Sequence, residues 1–583
     1  MPSTPAIPSP PNPRSLTCRD LAVAALVAVA ATLIPYHRGL HFPFALDDYT
    51  FLMQASGLEP ARWSLRRILS TRLYYDLMLH VFGPRPLPWH VVAFTLHAGL
   101  GVALAGLGRR CGLSRRAAWL ACGLFAASPV AFTVVYWIAC VQELGAGLFL
   151  MGAAFLLDAR GRRVWWAVPA FAVAMLCKES VLVAPVALLL WQGRRVLRPV
   201  VVMVATGTAL FVLSGLHGRM FSADRTQPYA TDYGFNVVTH LTTQWFWWAT
   251  PWRAYPDRVA SPDPSVLLPA LGILALVTGL VLWAGPRARR PFVLAAVWFV
   301  ALLLPVLPLR QHAYAYYTYL PQMGLLLLAA AGLERAAARV AGKSSLGFLA
   351  AGAVLLAGWM FCAERTARTH ERLRLPKSQV PHDSVVRYGT AAGALVRAVD
   401  AAHLPPTVRR VVFFCLPEQL GTAARTPGSA PQPGTTRVRK FPLRDALREG
   451  RLFTLHDPGL EAVWIDTLTA RDEAPDNALF FTSGFSDIAR LDVPRAYLLQ
   501  AQGQLMIEDR GAAMRSLRRV LQIAPGHIPA RVLLGALELE SGHAGTAQAL
   551  VNGITREQVP KDLQPFFDQM QQYLKTPGGS PGR

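Results

Sequence analysis

The sequence predicts an α-helical polytopic membrane protein with a water-soluble carboxyl-terminal tail, and three observations carry that expectation. Hydrophobic residues make up 53% of the 583 and charged residues 16%, with a mean hydropathy of +0.31, too apolar for an ordinary soluble chain of this length. Up to about Ala363 the apolar residues run in blocks separated by short arginine clusters, whereas from Glu364 onward charged and polar residues mix in at globular density. The clusters recur at alternate block ends, which is the charge bias of a chain threaded back and forth through a bilayer.

Taken in order, the blocks lie near residues 20–37, 87–108, 117–136, 140–157, 163–178, 180–192, 197–215, 265–284, 291–309, 315–333 and 345–363, about eleven crossings at the ~20 residues a bilayer needs. Several central blocks are shorter than that, so bent, tilted or protein-buried helices are expected there. Arg14 and Arg19 precede the first run, Leu21 to Tyr36, and no small-residue cleavage site follows it, which makes it an uncleaved first helix. The expected organisation is a cytoplasmic tail (1–18), an eleven-helix membrane domain (19–363), a soluble non-cytoplasmic α/β region (364–490), tetratricopeptide-like helical repeats (491–575) and a disordered end (576–583).

Arginines set the expected orientation. Arg109, Arg110, Arg115 and Arg116 follow the second block, Arg160, Arg162 and Arg163 the fourth, and Arg194, Arg195 and Arg198 the sixth. Arg287, Arg289 and Arg290 follow the eighth, and Arg335, Arg339 and Lys343 the tenth. These ends are cytoplasmic by the positive-inside bias, which leaves 38–86, 216–264 and the tail outside, as in a bacterial inner membrane with a periplasmic tail. The same placement explains the net charge of +23 without nucleic acid, since the arginines are neither gathered on one helix face nor interleaved with stacking aromatics. The seven cysteines show no CxxC and no ligand spacing, so they read as packing residues. In the loop 216–264, Gln244, Trp245, Phe246, Trp247, Trp248 and Trp252 suggest a helix at the headgroup level, as an anchor or as a substrate contact.

Three polar sites stand where polarity is costly, and all fall on the expected outer side. Asp47 and Asp48 lie about ten residues beyond the first block, where desolvation and mutual repulsion raise a carboxyl pKa toward that of a general base. The alternative is a helix N-cap for the stretch Phe51 to Ala55. Lys178 and Glu179 sit at a turn between two short blocks, either satisfying each other or bringing a cation to an anionic substrate. Arg310, His312, Tyr314, Tyr316, Tyr317 and Tyr319 crowd the start of the tenth block, where an Arg fork, tyrosine hydroxyls and a helix N-terminus suit a phosphate.

In this order the residues resemble the GT-C superfamily of integral-membrane glycosyltransferases, in its protein O-mannosyltransferase-like branch that includes the transmembrane and tetratricopeptide-repeat-containing (TMTC) proteins. The resemblance rests on Asp47–Asp48, on Ser128–Pro129–Val130 followed by Trp137 and Glu143, on Lys178–Glu179, on Tyr317–Thr318–Tyr319–Leu320–Pro321 with Gly324, and on the soluble repeat tail. It implies transfer of a sugar, with inversion, from a polyprenyl-phosphate donor to a protein or glycan acceptor outside the cytoplasm. Asp47 or Asp48 is implied as the base, and Lys178, Arg310, His312 and Tyr317 as phosphate contacts, with Glu179 and Tyr319 in the same turns. Two positions depart from the pattern: Tyr316 stands where many relatives have Arg, and Ser128 where they often have His. No cofactor is implied; a divalent metal is left open, with Asp224, Asp232 and Asp257 as outer carboxylates.

The tail adds a period. Ala496 and Ala530, Gly511 and Gly545, and Ala513 and Ala547 each recur 34 residues apart, the tetratricopeptide spacing, with Pro525 ending the first unit. Before them, Val408 to Leu416, Ala462 to Leu468 and Ala478 to Thr482 read as strands and Leu443 to Gly450 as a helix, with a Pro/Gly-rich loop from Gly421 to Thr436. The repeats suit an acceptor or a protein partner. Two rival expectations stand beside transfer chemistry: a non-catalytic membrane scaffold recruiting envelope proteins, and a transporter of lipid-linked sugars, the latter without a convincing inverted repeat.

Overall fold

The structure is a computed structural model that describes residues 16–61, 64–159, 161–221, 229–252, 286–310, 313–340, 345–375, 380–416, 442–485 and 487–575, with a few positions between 268 and 275. It divides into two compact units, 1–387 and 388–583.

The first unit is helical. α1 (Cys18–Tyr36) starts in a capping box, with the Thr17 hydroxyl accepting from the Asp20 N–H and the Asp20 carboxylate from the Thr17 N–H. After a 3-10 turn at His37–His41 come α2 (Asp47–Ala55), a π turn at Leu69–Leu73, α3 (Tyr74–Phe82) and α4 (Pro86–Arg110), which opens on proline as helices favour. α5 (Arg115–Ala126) and α6 (Phe132–Tyr136) flank Pro129 and bend by 45° across it. There follow α7 (Val141–Leu157), α8 (Ala167–Cys177), α9 (Ala184–Gln192), α10 (Leu197–Leu213), α11 (Leu216–Met220) and α12 (Asn236–Ala249). α13 (Pro286–Leu303), α14 (Gln322–Val340) and α15 (Ser345–Arg372) complete it.

Among the described residues five helices are long and apolar enough to cross a bilayer, Cys18–His41, Pro86–Arg110, Ile138–Leu157, Arg194–Leu213 and Leu346–Arg372, or six with the bent pair α5–α6. Eleven straight spans are not seen among these residues, and the sequence shows why. Lys178 breaks the apolar run 163–192 into α8 and the short helix Glu179–Gln192, and α14 carries Glu334, Arg335 and Arg339 in its last turns. The expected span at 265–284 lies mostly outside the described residues. Leu26, Leu346 and Val354 are 71%, 73% and 74% exposed on these helices, a surface that water does not tolerate over such lengths and lipid does. α12 is not simply an interfacial anchor, because it buries Thr243, Gln244, Phe246 and Trp247.

The helices share two chemically distinct ends. At one, Arg115 meets Asp20 at 3.2 Å, the Ser114 N–H donates to Glu334 at 3.5 Å, Arg110 donates to the Phe155 carbonyl at 3.1 Å and Arg195 to Asp158 at 2.8 Å, so the arginine clusters gather there. At the other, the Tyr36 hydroxyl donates to the Ser128 carbonyl at 2.5 Å, and the polar sites of the loops assemble. α15 runs on past Ala363 to Arg372, where Glu364 and Glu371 take both sides of the Arg38 guanidinium at 2.9 and 3.0 Å.

α16 (Ser384–Ala401) leads into the second unit. Its sheet comprises β1 (Arg410–Cys415), β2 (Glu461–Trp464), β3 (Asn477–Thr482) and β4 (Ile488–Leu491) in the order β2-β1-β3-β4. β1 is parallel to β2 and β3, with Val412 opposite Val463 and Leu479, and β4 is antiparallel to β3. Between β1 and β2 lie α17 (Pro442–Leu447) and α18 (Arg451–His456), separated by Gly450 at φ +88°, where an added Cβ would stand 1.9 Å from the Ala462 carbonyl. The stretch Gly421 to Thr436 lies outside the described residues.

Two helical hairpins and a final helix follow: α19 (Val493–Met506) with α20 (Arg510–Ile523), α21 (Ile528–Glu540) with α22 (Ala544–Val551), then α23 (Gln564–Lys575). Asp492 and Asp509 cap α19 and α20 by accepting from Arg495 and Ala512 N–H groups. Ala496, Ala530, Ala513 and Ala547 are all fully buried, so the 34-residue recurrence marks places where only a methyl fits between packed helices.

Candidate functional site

The loop after α1 is built around one carboxylate. Residues 42–45 are extended, Leu46 turns at φ +51°, a costly conformation for a branched side chain, and α2 starts immediately after it. The turn puts adjacent carboxylates in opposite environments: Asp47 is exposed and Asp48 wholly buried. Asp48 Oδ2 accepts from the Ala45 N–H at 2.9 Å, and its Oδ1 accepts from the Tyr75 hydroxyl at 2.8 Å and the Ala139 N–H at 2.7 Å. Burial nevertheless pushes the Asp48 carboxyl up to about 7. With both oxygens engaged, Asp48 is a clamp that ties three segments together, and Asp47 is the carboxylate presented to solvent.

The clamp joins the Asp turn to the other polar sites. The Trp137 indole donates to the Ala45 carbonyl at 3.1 Å, and its ring meets Tyr316 edge-on at 6.2 Å. The Lys178 ammonium stands 5.2 Å from the centre of the Tyr316 ring and 5.6 Å from that of Tyr317. Cys140, next to the Ala139 donor, lies within electrostatic reach of Lys178, Glu143, Asp48 and Asp47 together. The three polar sites separated by up to 270 residues in the chain are therefore linked by continuous contact.

Lys178 and Glu179 do not pair with each other. Lys178 has an extended backbone (φ −158°, ψ 132°), so consecutive side chains point to opposite sides. Lys178 instead forms a buried ion pair with Glu143, the two side chains 6% and 5% exposed. Glu179 takes a bidentate fork from Arg67, 2.7 Å at Nε, and lies 3.6 Å from Arg66.

Arg66 and Arg67 were not anticipated. Arg67 sits at φ +57° and also donates to Gln142 at 2.8 Å; Arg66 lies over the Tyr229 ring at 4.4 Å, with its Nε buried and without a hydrogen-bond partner. The Ser70 hydroxyl, one turn on, donates to the Cys177 carbonyl at 2.7 Å and holds this segment against the Lys178 turn. Burial opposes ionisation of Tyr229, yet Arg67 and Arg66 draw its hydroxyl below the ordinary value. Three cations, Arg66, Arg67 and Lys178, thus face two carboxylates, Glu143 and Glu179, which leaves one positive charge in excess before Asp47 is counted. The sequence did hold a clue: a double arginine in a loop expected on the outer side runs against the charge bias that the other clusters follow.

Tyr319 touches this network through its backbone, its N–H donating to the Tyr316 carbonyl at 3.0 Å. Tyr319 is buried inside the bundle, its hydroxyl 2.7 Å from His97 Nδ1, while His97 Nε2 faces the Ala126 carbonyl at 2.9 Å. Arg310 is exposed, its backbone N–H bound to the Ala230 carbonyl at 2.9 Å. His312, Asp224 and Asp257 lie outside the described residues. Ser128 keeps a polar role at the position where a His was expected, its hydroxyl donating to Gln322 Oε1 at 2.6 Å. Among the described residues no group of three or more His, Cys, Asp or Glu side chains is placed to hold a metal ion.

No family model matches the sequence, and no curated protein matches it either. Among solved structures the chain is similar to ArnT from Cupriavidus metallidurans bound to undecaprenyl phosphate, with a TM-score of 0.39 and 14% identity over 80% of this chain and 92% of that one.

Proposed function

We propose that the chain is an integral-membrane glycosyltransferase that moves a sugar from a polyprenyl-phosphate donor to a hydroxyl acceptor, with Asp47 as the base. One observation carries this: an exposed carboxylate and a cluster with surplus positive charge are held in one contact network at the end of the bundle opposite the arginine clusters. The acceptor oxygen attacks the anomeric carbon from the Asp47 side, its proton passes to Asp47, and the bond from that carbon to the phosphate oxygen breaks. The pair leaves with the lipid phosphate, whose new charge meets Lys178, Arg67 and the orphan Nε of Arg66. Attack opposite to departure inverts the anomeric centre.

Asp48 acts in this reading as a positioning residue, because its oxygens are occupied by the donors that shape the turn. The positive-inside bias supports a non-cytoplasmic position for the network, in a bacterial inner membrane protein with a periplasmic tail. The helical hairpins are proposed as tetratricopeptide-like repeats that bind the protein or glycan acceptor or a partner. A cavity of about 480 Å³ between Leu468, Tyr497, Gln500, Gln504 and Ser516 supports that role within the second unit.

The test is incubation of purified protein with a panel of polyprenyl-phosphate sugars, followed by mass analysis of the released lipid phosphate. Release by wild type and its loss in folded Asp47→Asn support the proposal. Equal release by Asp47→Asn rejects the base, and no release with any donor rejects the activity in favour of a scaffold.

A further inference from the structure

A second cavity opens at the arginine end of the first unit, between α4, α9, α13 and α14. It holds about 600 Å³, well within the range of ligand sites. Leu107, Leu188, Leu294, Trp298 and Leu327 line its apolar part. Its polar residues stand together, because Arg110 is the last residue of α4, Trp191 lies at the end of α9, and Glu334 and Arg335 fall in the last turns of α14. Toward the other end Gly324 lets α13 and α14 close on each other: an added Cβ there would lie 3.2 Å from Ala295.

A void lined only by apolar groups stays dry and takes apolar ligands. This one has two guanidinium groups at its mouth and one carboxylate, and Glu334 already accepts from the Ser114 N–H at 3.5 Å. Arg110 is held in place, stacked 4.4 Å over the Phe155 ring, donating to the Phe155 carbonyl at 3.1 Å and with its Nε 4.0 Å from the Asp158 carboxylate, while Arg335 is exposed. An anion above a hydrocarbon chain matches both parts, and basic pockets between transmembrane helices are recurrent sites for anionic headgroups.

We propose that this cavity binds one anionic phospholipid of the surrounding bilayer, its phosphodiester between Arg110 and Arg335 and an acyl chain along Trp298 and Leu327. Its two arginines lie at the opposite end of α4 and α14 from the Lys178 network, so lipid binding there does not depend on the proposed transfer reaction.

The experiment is native mass spectrometry of the full-length protein released from phosphatidylcholine micelles doped with phosphatidylglycerol or with undecaprenyl phosphate. One phosphatidylglycerol should be retained per chain, at least tenfold over phosphatidylcholine. Arg335→Gln, at an exposed position, should cut that preference at least fivefold, and Ala331→Phe, which fills the cavity, should abolish the one-lipid species. Equal retention of phosphatidylcholine, an unchanged preference in Arg335→Gln, or displacement of phosphatidylglycerol by equimolar undecaprenyl phosphate would each overturn the proposal. If Ala331→Phe does not fold, Arg335→Gln decides.

Discussion

The Lys178–Glu143 pair offers the sharpest perturbation. Its side chains are 6% and 5% exposed, so each charge depends on the other and not on water. Removing one partner of a buried pair leaves the other charge stranded and costs about 3–5 kcal/mol, whereas replacing both by uncharged groups of similar volume removes that penalty. Glu143→Gln and Lys178→Met should therefore each lower the unfolding free energy by about 3–5 kcal/mol, and the double variant should be more stable than either single one. Unfolding of the full chain in mixed micelles by SDS titration reads this directly. A cost below about 1 kcal/mol for both singles would show that the pair is solvated and refute the burial on which the site argument stands. The function should split the two singles further, since Lys178 faces Tyr316 and Tyr317 at 5.2 and 5.6 Å and is the member presented to a phosphate. Donor-lipid affinity should fall more in Lys178→Met than in Glu143→Gln when both are assayed folded.

Other expected outcomes follow from the same contacts. Asp47→Asn should leave the thermal midpoint within about 1 °C of wild type, as an exposed substitution costs about 0.5 kcal/mol or less, while Asp48→Asn turns an NH2 group toward a backbone donor and should cost about 1–3 kcal/mol. Asp48 has its carboxyl raised to about 7 by burial, so its contribution to stability is present below the ordinary value of 3.8 and is lost as pH rises through 7. The unfolding free energy should fall between about pH 4 and 7, by a ceiling of about 4 kcal/mol, and Asp48→Asn should flatten that slope. Arg67→Gln breaks the fork to Glu179 and the bond to Gln142; it should reduce donor affinity tenfold or more, while Arg310→Gln, at an exposed side chain, should not. Gly450→Ala should disrupt the second unit, because its Cβ would overlap the Ala462 carbonyl at φ +88°, as loss of near-ultraviolet circular dichroism would report.

Much of the fold was legible because apolar length and charge bias are local properties. The first helix, the arginine-rich ends and the buried alanines 34 residues apart follow from composition and spacing alone. The number of crossings is a separate matter, since short blocks such as 163–178 and 180–192 have the hydropathy of membrane segments whether or not each is long enough to cross. The site was partly legible. Asp47, Asp48, Lys178 and Tyr317 stood out as polarity beside apolar blocks, but their partners are tertiary facts. Lys178 pairs with Glu143 across 35 residues and Glu179 with Arg67 across 112, and nothing periodic connects them. Tyr319 misled because a tyrosine among tyrosines gives no hint that its hydroxyl turns inward to His97.

The measurement that bears most directly on the central claim is photo-cross-linking of the purified full chain with a polyprenyl-phosphate sugar carrying a diazirine next to the phosphate, followed by peptide mapping. Label should fall on the segments holding Arg66, Lys178 and Tyr316, reduced in Lys178→Met and competed by unlabelled polyprenyl phosphate. Label confined to the arginine end, near Arg110 and Arg335, or label on the Lys178 segment that unlabelled lipid does not compete, would contradict it.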